Sequence, residues 1–575
     1  MLKTGSEIFF ECLLKENVEV FFGIPGGQVI PLFDKFYDYR KKIKFVLTRH
    51  EQGAGHMADG YARSTGKVGV CVATSGPGAT NLVTALATAY MDSIPMVAFT
   101  GQVATHLIGN DAFQEADITG ITRPITKHNF LVKDVRDLTR TIKEAFYIAN
   151  TGRPGPVLVD IPVDVQRATT EFVWPETIDI RSYKPNYEGH LGQIKRAAEL
   201  IKSSKQPLIY VGGGIISSNA SQELLKFAEK IDAPVTTTLM AIGGFPASHP
   251  LNLSMPGMHG SYAANMAFQA CDLIIAIGAR FDDRVTGKLS AFAPLAKIIH
   301  IDLDPTSISK NVEVDIPVVG DAKIVLLELN KVVAKKKNSE WLKKVFDWQK
   351  KNSFAYKKDN KLRPQYVVEK ISEITAGDAI VVTEVGQHQM WAAQFYKPKA
   401  PRYFLTSGGL GTMGYGLPAA IGAKIANPQK LVIDIAGDGS TQMNIQELAT
   451  AMLNDVKIKI VILNNACLGM VRQWQELFYK RRYSAVCLTN PNGCLDSSIP
   501  MKRPVSYIPD FVKIAEAYGA LGLRITKKED VVSALNEAFK TDKLVVMDFI
   551  IEEEENVLPM VPSGAALDEI ITSLA

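Results

Sequence analysis

Hydrophobic positions along the chain fall into two alternating rhythms. Short runs dense in β-branched and aromatic residues, of strand length, are separated by longer stretches with apolar residues three and four apart. In the first third the strand-like runs are VEVFFGI, IKFVLT, VGVCVAT and PMVAFTG, and the segment closes on GRPGPVLVDIP at 152–162. Between them lie EQGAGHMADGYARS, which puts Ala54, Met57, Ala58 and Tyr61 on one helical face, and TNLVTALATAYM, which follows the loop SGPGA. Strands that recur with helices between them need crossover connections, so the pattern predicts a parallel α/β sheet. A stretch rich in Pro and polar residues then reads as linker to about 190.

The middle third repeats the rhythm with PLIYVGGGII at 207–216, DLIIAIGA at 272–279 and KIIHIDLD at 297–304, which predicts a second α/β unit of nucleotide-binding type. Residues 331–363 carry twelve Lys or Arg against Glu340, Asp347 and Asp359. Trp341, Val345 and Trp348, spaced i, i+4, i+7, make this an amphipathic linker helix with solvated lysines rather than an anion-binding surface. In the last third, KLVIDIA, loop GDGS, helix MNIQELATAMLN and KIKIVILNN follow the order of VGVCVAT, SGPGA, TNLVTALATAYM and PMVAFTG, with LATA at both 86–89 and 448–451. Two related domains therefore flank a third. The expected fold is α/β, with three doubly wound parallel-sheet domains at 1–165, 190–330 and 364–550 and a tail at 551–575.

The 575 residues agree with this division, since domains average roughly 150 residues. Apolar residues make up 46% and charged residues 22%, and the net charge of +4 is too small to indicate a nucleic-acid or membrane surface. The expected partners are small molecules or proteins. Six cysteines (Cys12, Cys71, Cys271, Cys467, Cys487, Cys494) form no CxxC pair and read as reduced thiols of a cytosolic protein. Glu7, Glu11, Lys15 and Glu16 interrupt the N-terminal apolar positions, and no apolar run approaches about 18 residues, so a cytoplasmic, membrane-free chain is expected.

Candidate chemistry concentrates in GDGS at 437–440 and NN at 464–465. Asp438 and Asn465 are separated by about one βαβ unit, and each follows a strand-like run, so adjacent parallel strands would present both to one crevice. A carboxylate and an amide carbonyl suit Mg²⁺, which completes its octahedron with water, a main-chain carbonyl and phosphate oxygens. Gly437 and Gly439 would let a diphosphate approach the backbone. Together these segments resemble the signature of thiamine-diphosphate enzymes, and no GxxxxGK[ST] phosphate loop competes with it. Glu51 in LTRHEQGAG follows a strand-like run and opens a helix. As a helix-end charge it would contribute at most about 1 kcal/mol. In a thiamine site it is instead the acid that brings the aminopyrimidine to its imino tautomer.

From end to end the chain resembles the acetohydroxyacid synthase (acetolactate synthase) catalytic subunits, on FGIPGG, RHEQGA, SGPGATN, GNDAFQE, GMHGSYAAN, RFDDRVTGKL, SGGLGTMGYGLPAA and NNACLGMVRQWQELFY. That resemblance implies decarboxylation of pyruvate on thiamine diphosphate and condensation of the hydroxyethyl group with pyruvate or 2-ketobutyrate. The products would be 2-acetolactate or 2-aceto-2-hydroxybutyrate, precursors of valine, leucine and isoleucine. It further implies that Met413 in GLGTM wedges the cofactor into a bent shape, with Gly411 beside it. Gln114 would lie near the thiazolium. Gln387, His388, Gly439 and Ser440 would contact the diphosphate, and the main-chain carbonyl of Cys467 would join Asp438 and Asn465 on Mg²⁺. Arg284 would hold the carboxylate of the second keto acid, although a salt bridge to Asp282 or Asp283 is an equal alternative. Trp474, with Met470 on the same segment, would wall the pocket around the acceptor's alkyl group.

The same resemblance places FAD in the middle domain, on Arg153, Gly213, Gly214, Thr238, Leu239, Gly257, Met258, His259, Gly260, Arg280, Asp302 and Asp321. GGGII lacks the third glycine of a dinucleotide fingerprint. With no net redox change in the reaction, the flavin would be structural. Glu51 and Asp438 fall in different domains, which in this family come from different subunits, so a homodimer or dimer of dimers is expected, with room for a separate regulatory small subunit. Two positions depart from the family: Val163 stands where Lys is common, and 486–505 looks like an inserted loop. The competing readings are a pyruvate oxidase, a decarboxylase, a flavin-free catabolic acetolactate synthase, or a nucleotide-binding regulator that has lost the chemistry.

Overall fold

The computed structural model describes residues 2–488 and 508–573. Strand Met96–Gln102 is buried along its length, and its side chains alternate between two cores: Met96 and Ala98 enter one, Val97 and Phe99 the other. A parallel strand covered on both faces is an apolar run rather than an alternating one, which is why these strands stood out in the sequence. The N-terminal sheet runs in the order Lys44–Leu47, Val20–Gly23, Gly69–Ala73, Met96–Gln102, Pro156–Pro162, His128–Leu131, all parallel. The C-terminal sheet runs Phe404–Leu405, Ile380–Thr383, Val432–Gly437, Lys459–Asn464, Val545–Ile550, Leu521–Ile525, also all parallel. Counted in chain order within each domain, both read 2-1-3-4-6-5. The kinship suggested by the two LATA segments is thus a shared topology. The middle sheet, Val235–Thr237, Pro207–Val211, Leu273–Ile277, Lys297–Asp302, Ile316–Val319, is parallel throughout and reads 2-1-3-4-5.

The two outer domains are packed together through helices Glu51–Thr65 and Gly416–Ala426. A Cβ placed on Gly60 would lie 2.1 Å from the Ala419 carbonyl oxygen, and one on Gly422 would lie 1.9 Å from that of Met57. The helices therefore touch backbone to backbone. This corrects the single apolar face expected for the first helix: Gly53 through Ser64 are all buried, including the polar His56, Asp59 and Arg63. Arg63 donates to Asp59 (2.5 Å), Asp92 (2.8 Å) and the Thr406 carbonyl (2.8 Å), and the Tyr415 hydroxyl donates to Asp59 (2.7 Å). Each buried charge in this bridge between domains has a partner, which is the condition for placing it there.

Other expectations need local correction. GDGS is a helical turn, Asp438–Thr441, and SGPGA runs into a second turn, Pro77–Thr80. The linker to about 190 carries strand Thr169–Glu171, which pairs antiparallel with Leu2–Thr4. The basic segment forms helix Ser339–Lys351 with Trp341 and Val345 buried, and Lys336 is only partly solvated, its ammonium donating to the Ile201 and Ser204 carbonyls. The C-terminal tail is integral: Val561 and Leu567 are buried in the middle-domain core. Most of the inserted loop, with Cys494, lies outside the described residues. No helix among the described residues is long and apolar enough to cross a membrane.

Candidate active site

In an open parallel sheet, ligands bind beyond the carboxyl ends of the strands where the strand order reverses. In the C-terminal sheet that point lies between Ile380–Thr383 and Val432–Gly437. The chain leaves the first strand into helix Gln387–Phe395 and the second into Asp438–Thr441, so His388 meets Gly437, whose Cβ position lies 2.8 Å from the imidazole Nδ1. His388 is buried with Nε2 unpartnered, and burial lowers its pKa to about 3, so the ring is neutral. Asp438 is 2% exposed and its Oδ2 has no hydrogen-bond partner. Burial raises its pKa to about 7 despite help from nearby backbone amides.

Asn465 follows the next strand and donates to Gln387 Oε1 at 3.2 Å, leaving its carbonyl as the acceptor end. Gln387 is fixed in turn by bonds of 2.9 Å to Gln473 Oε1 and to the Glu555 carbonyl. Ser440 Oγ bonds the backbone of Gly437, and the Met413 methyl lies 3.9 Å from the Cβ position of Gly439. Cys467 is buried between Asn465 and Leu468 and faces Cys487 across an isolated antiparallel bridge. Gly411 is in the left-handed region at φ +72. The structure thus gathers Gln387, His388, Met413, Asp438, Gly439, Ser440, Asn465 and Cys467 around one sheet end. Among the described residues no three His, Cys, Asp or Glu side chains form a metal cluster.

Sequence reasoning missed two carboxyls under this site. Glu384 Oε2 accepts from the Gly414 amide at 2.7 Å and Oε1 from that of Leu417 at 3.2 Å. Asp434 is fully buried with neither oxygen partnered, and a Cβ on Gly416 would lie 2.4 Å from Asp434 Oδ1 and 2.9 Å from Glu384 Cγ. Burial raises the Glu384 pKa to about 7, and burial plus the Glu384 charge pushes Asp434 well above the usual carboxylate range. The signal was an acid inside the apolar run KLVIDIA and another directly after strand Ile380–Thr383, before VGQHQ.

Glu51 lies in a second cluster, at the N-terminal sheet. It is 8% exposed, opens helix Glu51–Thr65, and accepts from the Asn81 amide at 2.9 Å through Oε2. Gly78 packs close to it: a Cβ there would lie 3.2 Å from Glu51 Oε1 and 2.8 Å from Thr74 Cγ2. Gly76, at φ +56, would place its Cβ 2.8 Å from the Gln114 carbonyl, so Gln114, itself at φ +59, borders the same turn. Glu51 and Gln114 thus border the same turn, 76–80. Among the described residues no hydrogen bond or ion pair joins them to Asp438.

The middle sheet forms a third crevice. Each of its five strands ends at a residue marked in the sequence: Gly213 and Gly214 follow Pro207–Val211, Thr238 and Leu239 follow Val235–Thr237, Arg280 follows Leu273–Ile277, Asp302 ends Lys297–Asp302, and Asp321 follows Ile316–Val319. Thr238 Oγ1 is buried without a partner, whereas Asp321 is occupied in capping helix Ala322–Val332. Arg280 donates to Asp282 at 2.8 Å, and Arg153 joins Ser93 to Asp304. In the turn 257–260, Gly257 has φ +93 and Gly260 is crowded by the Pro256 backbone. Met258 bonds the Arg284 carbonyl at 2.8 Å, and buried His259 has Nδ1 unpartnered and a pKa lowered to about 4 by burial. The Arg284 guanidinium lies 5.8 Å from the Trp474 ring centroid. Its contact with Asp283 is 3.9 Å between exposed side chains, worth at most about 1 kcal/mol, so the aromatic contact is the more specific of the two. Trp474 and Met470 share helix Gly469–Phe478, and the Trp474 Nε1 is buried without a partner.

Comparison with known proteins matches all three domains. Residues 3–121 match the thiamine pyrophosphate enzyme N-terminal TPP binding domain, 194–329 its central domain and 384–549 its C-terminal TPP binding domain. The chain is 52% identical over 576 residues to the acetolactate synthase of Mycobacterium bovis, covering 99% of this chain and 91% of that protein. It is 51% identical over 575 residues to the acetolactate synthase large subunit of Corynebacterium glutamicum (99% and 90% covered) and 49% over 577 residues to that of Buchnera aphidicola from Schizaphis graminum (99% and 98% covered).

Proposed function

The chain belongs to the acetolactate synthase large subunits, among the thiamine pyrophosphate enzymes, and from that premise we propose how its residues divide the work. It is a thiamine-diphosphate-dependent acetolactate synthase of branched-chain amino-acid biosynthesis. Pyruvate is the donor, and a second pyruvate or 2-ketobutyrate the acceptor. When bound, thiamine diphosphate supplies the electron sink that lets a keto acid lose CO₂ and the remaining two-carbon unit attack a second carbonyl.

The carrying observation is the orphaned, buried Oδ2 of Asp438 beside Asn465. A buried carboxylate with one oxygen unpartnered fits a divalent cation, and the Asn465 amide and Cys467 main-chain oxygens on the neighbouring loop fit Mg²⁺ completed by diphosphate and water. Asp438, Asn465 and the Cys467 carbonyl would hold it, with Gln387 and His388 on the diphosphate. Glu51, oriented by Asn81, holds and passes the proton at the cofactor's pyrimidine. Arg284 and Trp474 bind the acceptor: the guanidinium takes its carboxylate while the indole, packed against it, faces the alkyl group.

For the middle domain we favour FAD. Its residues converge on all five strand ends, and Thr238 Oγ1 and His259 Nδ1 are buried polar atoms awaiting partners. The domains are assigned as 1–165 pyrimidine-binding, 190–330 flavin-binding and 364–550 diphosphate-binding. That Glu51 and Asp438 follow strands of two different sheets supports a homodimeric active unit in which subunits complement each other. The term large subunit, used of the relatives, supports a regulatory small subunit as partner. The test is to incubate purified protein with pyruvate, thiamine diphosphate, Mg²⁺ and FAD and identify the product. Acetolactate whose formation requires all three cofactors is expected; peroxide or acetaldehyde as main product, or full activity without flavin, would displace this reading.

A further inference from the structure

Cys467 and Cys487 are opposite one another in a two-stranded bridge that the spacing of the six cysteines does not announce. Two backbone bonds flank the pair: the Leu468 amide donates to the Val486 carbonyl at 2.8 Å, and the Leu488 amide to that of Ala466 at 3.0 Å. The cysteines themselves exchange no backbone bond, so they form the closer of the two kinds of antiparallel pair. In such a pair the Cα atoms lie about 4.5 Å apart and the side chains leave the same face. A disulfide accepts Cα separations of about 4.4–6.8 Å. Leu468 and Leu488 alternate to the opposite face, where both lie against Gly439 of the GDG turn, 2.9 and 3.3 Å from its Cβ position. This second contact fixes the register of the two strands, and with it the pairing of the two cysteines.

We propose that Cys467 and Cys487 form a reversible redox pair, closing a disulfide at the rim of the Asp438–Asn465 site. The exposure of the two thiols orders the chemistry. Cys467 is 3% exposed, whereas Cys487 is half-buried and reachable from solvent. The Cys487 thiolate attacks a small-molecule disulfide such as oxidised glutathione, breaking its S–S bond, forming a mixed disulfide and releasing one thiolate. Cys467 then gives up its proton and attacks the Cys487 sulfur, forming the internal bond and expelling the second thiolate. Two protein thiols are oxidised and one external disulfide is reduced to two thiols. The closed loop contains helix Gly469–Phe478, so oxidation ties both ends of the segment bearing Met470 and Trp474.

The inference rests on backbone pairing and does not depend on the cofactor assignments. Its test uses the full chain carrying C494S, because Cys494 shares a tryptic peptide, 483–502, with Cys487. The protein, loaded with thiamine diphosphate, Mg²⁺ and FAD, is equilibrated with oxidised and reduced glutathione, quenched with an alkylating agent under denaturing conditions and digested. Peptides 460–472 and 483–502 should appear joined, two hydrogens lighter than their sum, and dithiothreitol should separate them. In C487S the Cys467 peptide should remain fully alkylated at every glutathione ratio. A stable glutathione adduct on Cys487 with Cys467 still a thiol, or no oxidation of either cysteine at any ratio, would overturn the proposal. C467A serves as the second variant: it should convert the internal bond into a persistent Cys487–glutathione adduct, and failure to form that adduct would remove Cys487 as the attacking thiol.

Discussion

The Glu384 carboxylate accepts the Gly414 amide at 2.7 Å, fixing the backbone one residue beyond Met413. Its other oxygen takes the Leu417 amide at 3.2 Å, so one buried side chain anchors the turn that carries the proposed wedge and the start of the helix behind it. Glu384→Ala leaves two buried donors unpaired, each at a cost of about 1–3 kcal/mol. A lower melting temperature and weaker thiamine-diphosphate binding are expected together, with Glu384→Gln, which keeps one acceptor, in between. Thermal unfolding and a fluorescence titration measure both, and an unchanged cofactor affinity in Glu384→Ala would separate the anchor from the site.

Asp438 gives the site a pH dependence of known sign. Its pKa is raised to about 7, above its ordinary value, so the folded apoprotein holds a proton that the unfolded chain has released, and apoprotein stability falls as pH rises from the ordinary carboxylate range toward 7. Mg²⁺ requires the ionised form. Below pH 7 each unit should therefore weaken Mg²⁺-dependent thiamine-diphosphate binding about tenfold through competition by one proton. Calorimetric titrations between pH 5.5 and 8 would show it, and a flat profile would argue that Asp438 is not the ligand.

Glu51→Gln preserves the shape that packs against Asn81 but removes the acid. Turnover should drop by roughly 10²–10⁴, the range for general acid–base catalysis. Exchange of the thiazolium proton, followed by NMR after acid quench, should slow in parallel. Wild-type exchange in a slow variant would reduce Glu51 to a helix-end charge.

Trp474→Leu removes the plane on which the Arg284 guanidinium rests. The two acceptors differ by one methylene, for which pockets discriminate by roughly 1–3 kcal/mol, so preference for 2-ketobutyrate over pyruvate should fall about 10-fold or more. Acetolactate formation from pyruvate alone should continue. Competition of both acceptors in one vessel reads the ratio directly.

The parallel strands were legible because burial on both faces writes them as unbroken apolar runs, Val432–Gly437 and Met96–Gln102 among them. The position of Asp438 and Asn465 just past two adjacent strands was legible for a related reason: parallel strands deliver their following residues to a common edge, so their spacing together with the strand pattern predicts it. What escaped depended on contacts between distant segments. Nothing near Gly60 in the sequence announces Ala419, and without that contact the helix Glu51–Thr65 reads as one-sided. Glu384 and Asp434 escaped because a buried carboxyl is recognisable only once the amides or acids around it are known. The Cys467–Cys487 pairing likewise needs a ladder whose two strands lie on either side of a helix.

The backbone contact between Gly60 and Ala419 also sets an order of events at the ribosome. The N-terminal domain is synthesised first, yet much of one of its cores is shared with Leu417, Ala420 and Ile421. At roughly 5–20 residues per second, the gap of about 350 residues leaves that apolar face without its cover for tens of seconds. The nascent chain is thus exposed to aggregation and to chaperone capture until its last third emerges. Substitutions along this helix pair should therefore lower the yield of soluble protein during expression more than they lower the stability of molecules that have already folded.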